Sequence, residues 1–105
     1  MQPRYIDREI SAPHATADRR FQPAPGVDAA PAGSSGLLLR TTHDRCVSLR
    51  GMGVRVWTLL ERGASLRTIR RLLRREFGLP SALVETELSE LLGRLERGGF
   101  IERAA

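Results

Sequence analysis

The run from Ser81 to Arg97, SALVETELSELLGRLER, constrains this chain more than any other stretch. Val84, Leu88, Leu91, Leu92 and Leu95 recur at i, i+4, i+7, i+8 and i+11, which puts them in one stripe of an α-helix. Leu83 widens the stripe. Pro80 cannot continue a preceding helix, Ser81 is placed to cap the new one, and Gly98 and Gly99 end it. An amphipathic helix of this length must bury its stripe against other elements, so the rest of the chain has to supply a partner layer. The remaining positions carry Glu85, Glu87, Glu90 and Glu96 against Arg94 and Arg97, so the helix is net acidic in a chain of net charge +5.

That partner layer is small. At 105 residues the chain supplies one modest core, and 41% hydrophobic with 28% charged residues is globular rather than disordered composition. All 17 basic residues are Arg. The single Cys46 excludes an internal disulfide and a thiolate-rich metal site, which fits the cytoplasm. The N-terminus, MQPRYIDREI, has no apolar signal core, and no run reaches the roughly 18 apolar residues of a membrane span, so no targeting signal and no membrane partner are expected.

In chain order, residues 1–14 read as a disordered tail. Residues 15–36 read as one short strand, Ala15–Gln22, followed by a Pro/Gly/Ala-rich loop that culminates in PAPGVDAAPAGSSG. From Leu37, LLLRT and RCVSL flank the polar turn Thr42, His43 and Asp44, the pattern of a β-hairpin. Alternation turns Cys46, Ser48 and Arg50 to one side of the second strand and Val47 and Leu49 to the other. Gly51 and Gly53 break that strand, and Val54, Trp57, Leu59 and Leu60 make a first helix that ends before Gly63. Ser65 caps a second helix, Leu66–Phe77, with Leu66, Ile69, Leu72, Leu73 and Phe77 as its buried stripe and Gly78 as its stop. Phe100 and Ile101 form a short apolar segment that packs back on the core. The fold expected is α+β: a small winged helix-turn-helix-like domain over residues 37–103, with an N-terminal antiparallel sheet of two or three strands followed by three helices.

Chemistry is sparse. His14 and His43 lie in loop-like text with no second ligand at motif spacing. Cys46 with His43 is the one nucleophile–base pairing, and it lacks an orienting third group. Gly51-Met52-Gly53 has neither the spacing nor the Lys of a phosphate loop. Trp57 falls among aliphatic residues at helical spacing and is assigned to the core. No enzyme activity, metal or cofactor is expected. The second helix carries Arg67, Arg70, Arg71, Arg74 and Arg75, an anion-attracting face or a solvated one. A DNA-binding winged helix inserts its last helix into the major groove. Here that helix is the acidic one, which argues against nucleic acid and leaves a winged-helix transcription regulator as the runner-up.

The ordered set GLLLRTTHDRCVSLRGMG, VWTLLERGASLRTIRRLLRREFG and VETELSELLGRLERGGFI resembles the PqqD-like family, the RiPP recognition elements that bind leaders of ribosomally made precursor peptides. Ser48, Leu49, Gly53, Val56, Trp57, Leu60, Gly63, Ile69, Leu72, Leu88, Leu92, Leu95 and Gly99 fall where the pattern asks. Arg50, Met52 and Glu87 replace the usual Asn, Thr and Asp. The resemblance implies a non-catalytic recognition protein. The leader adds as an antiparallel strand along Arg45, Cys46, Val47, Ser48 and Leu49, beside a groove walled by Val84, Glu87, Leu88, Leu91 and Leu95. It also implies delivery to a maturation enzyme, a leader peptidase as in lasso-peptide pathways or a radical enzyme. Arg67, Arg70, Arg71 and Arg74 then either steer acidic leaders or meet the partner enzyme.

Overall fold

The structure, a computed structural model, describes residues 19–104. Eight elements follow one another: β1 (Phe21–Pro23), β2 (Asp28–Ala32), β3 (Gly36–Arg40), β4 (Cys46–Leu49), α1 (Met52–Glu61), α2 (Leu66–Phe77), α3 (Ser81–Arg97) and β5 (Ile101–Arg103). β2, β3 and β4 form an antiparallel sheet in that order, and β1 pairs with β5 as a separate antiparallel ribbon. The architecture is α+β, with sheets of three and two strands and three consecutive helices.

The β3–β4 hairpin closes on the polar turn at residues 42–44. Thr41 N–H donates to the Arg45 carbonyl at 2.9 Å, Asp44 N–H donates to the Thr41 carbonyl at 3.0 Å, and Asp44 takes the left-handed φ of 61°. Asp tolerates that conformation better than most residues. The buried Thr41 hydroxyl accepts from the amides of His43 and Arg45, which fixes the turn from inside.

Helices α2 and α3 have the bounds that periodicity and stop residues indicate. Ser65 Oγ accepts from Thr68 N–H, and Gly78 ends α2 at φ 64° with its amide on the Arg74 carbonyl. Ser81 does not cap α3. It is the first helical residue, Pro80 holds the cap position without a side-chain bond, and Ser81 Oγ instead accepts from Arg74 Nη1 at 2.9 Å. α1 starts at Met52, earlier than its apolar spacing indicates, so Gly53 lies inside its first turn.

One core unites these elements. Leu39, Leu49, Val56, Trp57, Leu60, Ile69, Leu73, Val84, Leu88, Leu95 and Ile101 are all buried within it. Phe77 departs from its expected place in the α2 stripe: at the helix end it is 41% exposed, as is Leu83 at 42% near the start of α3. Both lie at the α2–α3 corner, Phe77 as the last residue of α2 and Leu83 in the first turn of α3. Arg55 of α1 donates to both carboxylate oxygens of Glu76 at 2.8 Å and so ties α1 to the end of α2. That hydrogen bond holds the Glu76 carboxyl below its usual range and the Arg55 guanidinium above its own.

Two sequence readings need correction. The third strand of the main sheet is β2, inside the stretch read as loop, while β1, overlapping the expected Ala15–Gln22 strand only at its end, pairs with the C-terminal β5. Asp28 to Pro31 are all exposed, so β2 is held by backbone pairing to β3 and no buried face marks it in the sequence. Residues 15–18 and the tail 1–14 lie outside the described residues.

Candidate functional site

β4 is an edge strand, and its register determines which backbone groups face outward. Thr41 and Arg45 form an in-register bonded pair, and β3–β4 pairing continues as Arg40↔Cys46, Leu39↔Val47, Leu38↔Ser48 and Leu37↔Leu49. Bonded and non-bonded pairs alternate in an antiparallel ladder. Val47 and Leu49 therefore spend their N–H and C=O groups on β3, whereas those of Cys46 and Ser48 point away from the sheet. Their side chains are exposed as well, and Val47 and Leu49 turn toward the core.

The other edge is different. Leu37 faces its backbone groups to β4, so its partner across β2, Pro31, faces outward, and Pro has no N–H to offer there. A proline on the solvent side of an edge strand blunts that edge against further pairing. By the same register Ala29 also faces outward and keeps its N–H, so β2 loses one outward donor, at Pro31, whereas β4 loses none.

α3 runs beside the β4 edge, and two cavities lie between them. Ser48, Leu49, Arg50, Met52 and Gly53 face Glu87, Leu91 and Arg94 across about 200 Å³. At the hairpin end, Thr41, Thr42, His43 and Arg45 face Glu96, Arg97, Gly98 and Gly99 across about 540 Å³, with Ala24 and Pro25 closing one side. Glu87, Leu91 and Arg94 share one α3 face at i, i+4 and i+7. The position of Gly53 keeps the smaller cavity open: a Cβ there would touch Leu49 Cδ2 at 3.5 Å and Leu91 Cδ2 at 3.9 Å.

The residues singled out for the groove therefore separate into two groups. Glu87 and Leu91 line it, with Leu91 only 6% exposed, while Val84, Leu88 and Leu95 lie in the core at about 1% exposure. Of the edge residues, Ser48 and Leu49 line the smaller cavity and Arg45 the larger, with Cys46 exposed between them. Arg50, Met52, Gly53, Arg94 and Arg97 are groove residues that the sequence reading missed. Their signal was position, directly after β4 and one or two turns beyond Leu91.

The arginines of α2 occupy another face. Arg70 pairs with Glu85 and Arg74 bonds Ser81, and with Arg67 and Val84 they surround a crevice of about 160 Å³ between α2 and α3. Two of the four arginines thus hold α3 in place, while Arg71 is exposed. His43 Nδ1 lies 3.4 Å from Thr42 Oγ1, and Cys46 Sγ lies 4.0 Å from the Asp44 carbonyl oxygen, so each meets its own neighbour. Among the described residues, no group of three or more His, Cys, Asp or Glu could hold a metal ion, and no helix is long and apolar enough to cross a membrane.

These features define a small α+β domain with one unblunted sheet edge flanked by a helix. The chain belongs to the family described as coenzyme PQQ synthesis protein D (PqqD), whose model matches residues 36–101, from the start of β3 to the start of β5. The role of that family is non-catalytic: precursor-peptide recognition and chaperoning in the biosynthesis of ribosomally made, modified peptides. No curated protein and no solved structure matches the chain.

Proposed function

We propose that this protein captures the leader of a precursor peptide by adding it as an antiparallel strand to β4. The side chains of the leader then lie between β4 and α3, and the bound precursor is handed to a separate maturation enzyme. The observation that carries the reading is the asymmetry of the sheet: β2 is blunted by Pro31, while Cys46 and Ser48 keep outward N–H and C=O groups beside a groove. Strand addition takes its affinity from such backbone groups and its selectivity from flanking pockets. The protein itself performs no chemistry. Its partner is a leader peptidase, as in lasso-peptide pathways, or a radical enzyme, acting in the cytoplasm. Arg67 and Arg71 on the basic face of α2 attract the acidic leader or that enzyme.

The test is a titration of isotope-labelled protein with the leader peptide encoded beside its gene, read by amide NMR, with a duplex DNA control. Saturable shifts along Arg45–Leu49 and at Glu87, Leu91 and Arg94 are expected. Shifts confined to α2, or produced by DNA in place of peptide, would refute the reading.

A further inference from the structure

Two cavities separate the β3–β4 hairpin from α3, and each has an arginine on either wall. Arg45 and Arg97 line the larger cavity, and Arg50 and Arg94 the smaller. None of these four has an ion-pair or hydrogen-bond partner for its guanidinium among the described residues. Five arginines elsewhere are engaged: Arg55 with Glu76, Arg70 with Glu85, Arg74 with Ser81, Arg103 with Glu96 and Arg20 with the Gly63 carbonyl.

Two α3 carboxylates, Glu87 and Glu96, reach the cavities, against four arginines. Glu85 is taken by Arg70 on another face, and Glu96, which does line the larger cavity, is 3.3 Å from Arg103. Glu87 is the one groove carboxylate without such a partner among the described residues. Basic residues in the last turn of a helix are explained by its dipole, and that accounts for Arg94 and Arg97. It does not account for Arg45 and Arg50, which flank β4 and bring a second like charge to each cavity.

We infer, on the basis of strand docking at β4, that the groove selects an acidic leader, with one carboxylate bridging Arg45 and Arg97 and a second bridging Arg50 and Arg94. Arginine binds a carboxylate through paired N–H donors, and two guanidiniums on facing walls can share one. Arg45 and Arg50 are separated by about 17 Å of extended chain, and Arg94 and Arg97 by about 4.5 Å of helix. Carboxylates that serve both pairs then stand roughly four residues apart on the bound strand, an even spacing that keeps both side chains on one face. Beside Arg50 and Arg94, Leu49, Met52 and Leu91 line the same cavity and offer apolar contact to an aliphatic side chain.

The experiment pans a displayed library of random 12-residue peptides against the full chain and against the double variant Arg50→Glu/Arg94→Glu. Both proteins are first shown to be folded by circular dichroism and thermal melting. Wild type is expected to enrich peptides with two Asp or Glu at that spacing. Replacing both acids with Gln should weaken binding roughly tenfold or more, the scale of a charge-assisted hydrogen bond. The double variant is expected to enrich basic peptides in their place. Enriched peptides that are neutral or basic on wild type, yet shift the Cys46 and Ser48 amides, overturn the charge selectivity and leave strand docking standing. Enriched peptides that leave those two amides unmoved, or no enrichment at all, overturn both. A 20-base-pair duplex that binds wild type and loses binding in the double variant assigns the arginines to phosphate and likewise overturns the inference.

Discussion

Proline scanning of β4 separates the inward from the outward backbone groups. Ser48 turns its N–H away from β3, so Ser48→Pro removes an outward donor and leaves the ladder to β3 intact. The φ that proline imposes is tolerated at an edge position whose N–H faces solvent. An added strand bonds to Cys46 and Ser48 through as many as four backbone groups, each bond worth about 0.5–1.5 kcal/mol net. Losing the one N–H bond at position 48 costs about 0.5–1.5 kcal/mol, or roughly 2- to 12-fold in leader Kd. Val47→Pro, one residue earlier, removes a donor that β3 uses and places the ring inside the sheet, so it should lower stability with or without ligand. The assay is leader binding by fluorescence anisotropy alongside urea unfolding for both variants. A Ser48→Pro protein that binds as wild type, or a Val47→Pro protein as stable as Ser48→Pro, would refute the assigned register.

Four further outcomes follow from packing and charge. In Gly36→Ala the new Cβ meets the Ala32 carbonyl oxygen at 2.6 Å and the Leu49 carbonyl oxygen at 3.2 Å, both backbone, so a thermal melt should show about 1–3 kcal/mol of destabilisation. Gly53→Ala, by contrast, makes only ordinary contacts, with the Leu49 and Leu91 side chains, and should gain about 0.5–1 kcal/mol of stability while weakening leader binding, because its methyl occupies the cleft. Leu88→Ala opens the core and should cost about 2–5 kcal/mol in denaturant unfolding, a large share of the stability of a domain this size. The Glu76 carboxyl, with its pKa lowered by the Arg55 hydrogen bond, contributes stability above the usual carboxylate pKa of about 4.3 and loses it as pH falls through the folded value. Urea midpoints of wild type and Glu76→Gln should therefore differ at pH 6 and converge in acid.

The helices were legible because each one buries a stripe and carries its own stop signal. Ser65, Gly78, Pro80 and Gly98 bracket α2 and α3 whatever packs on them. The hairpin was legible for a related reason: Val47 and Leu49 face a core, so alternation survives in the sequence. β2 was not, because Asp28–Ala32 has no buried side and its Ala and Pro residues carry no strand preference; only its pairing to β3 makes it a strand. Phe77 was misplaced because helical spacing cannot say where a neighbouring element ends.

The site was legible in outline only. Summing charge along Ser81–Arg97 gives an acidic helix, but the sum hides which side chains meet which partners. Arg70 and Arg103 remove Glu85 and Glu96 from the account, and Arg94 and Arg97 then face Arg50 and Arg45 across the groove. That pairing of distant residues depends on the crossing of β4 and α3, which no local pattern encodes. Val84, Leu88 and Leu95 share the periodicity of Leu91, and only the three-dimensional packing separates the residue at the groove from those beneath it.

Amide hydrogen exchange at four consecutive residues of β4 tests strand addition most directly. In the free protein, Val47 and Leu49 should be protected by their bonds to β3, while Cys46 and Ser48 exchange rapidly. Saturating leader peptide should slow Cys46 and Ser48 by orders of magnitude and change Val47 and Leu49 little. Bound leader with Cys46 and Ser48 still exchanging rapidly would contradict strand addition at this edge.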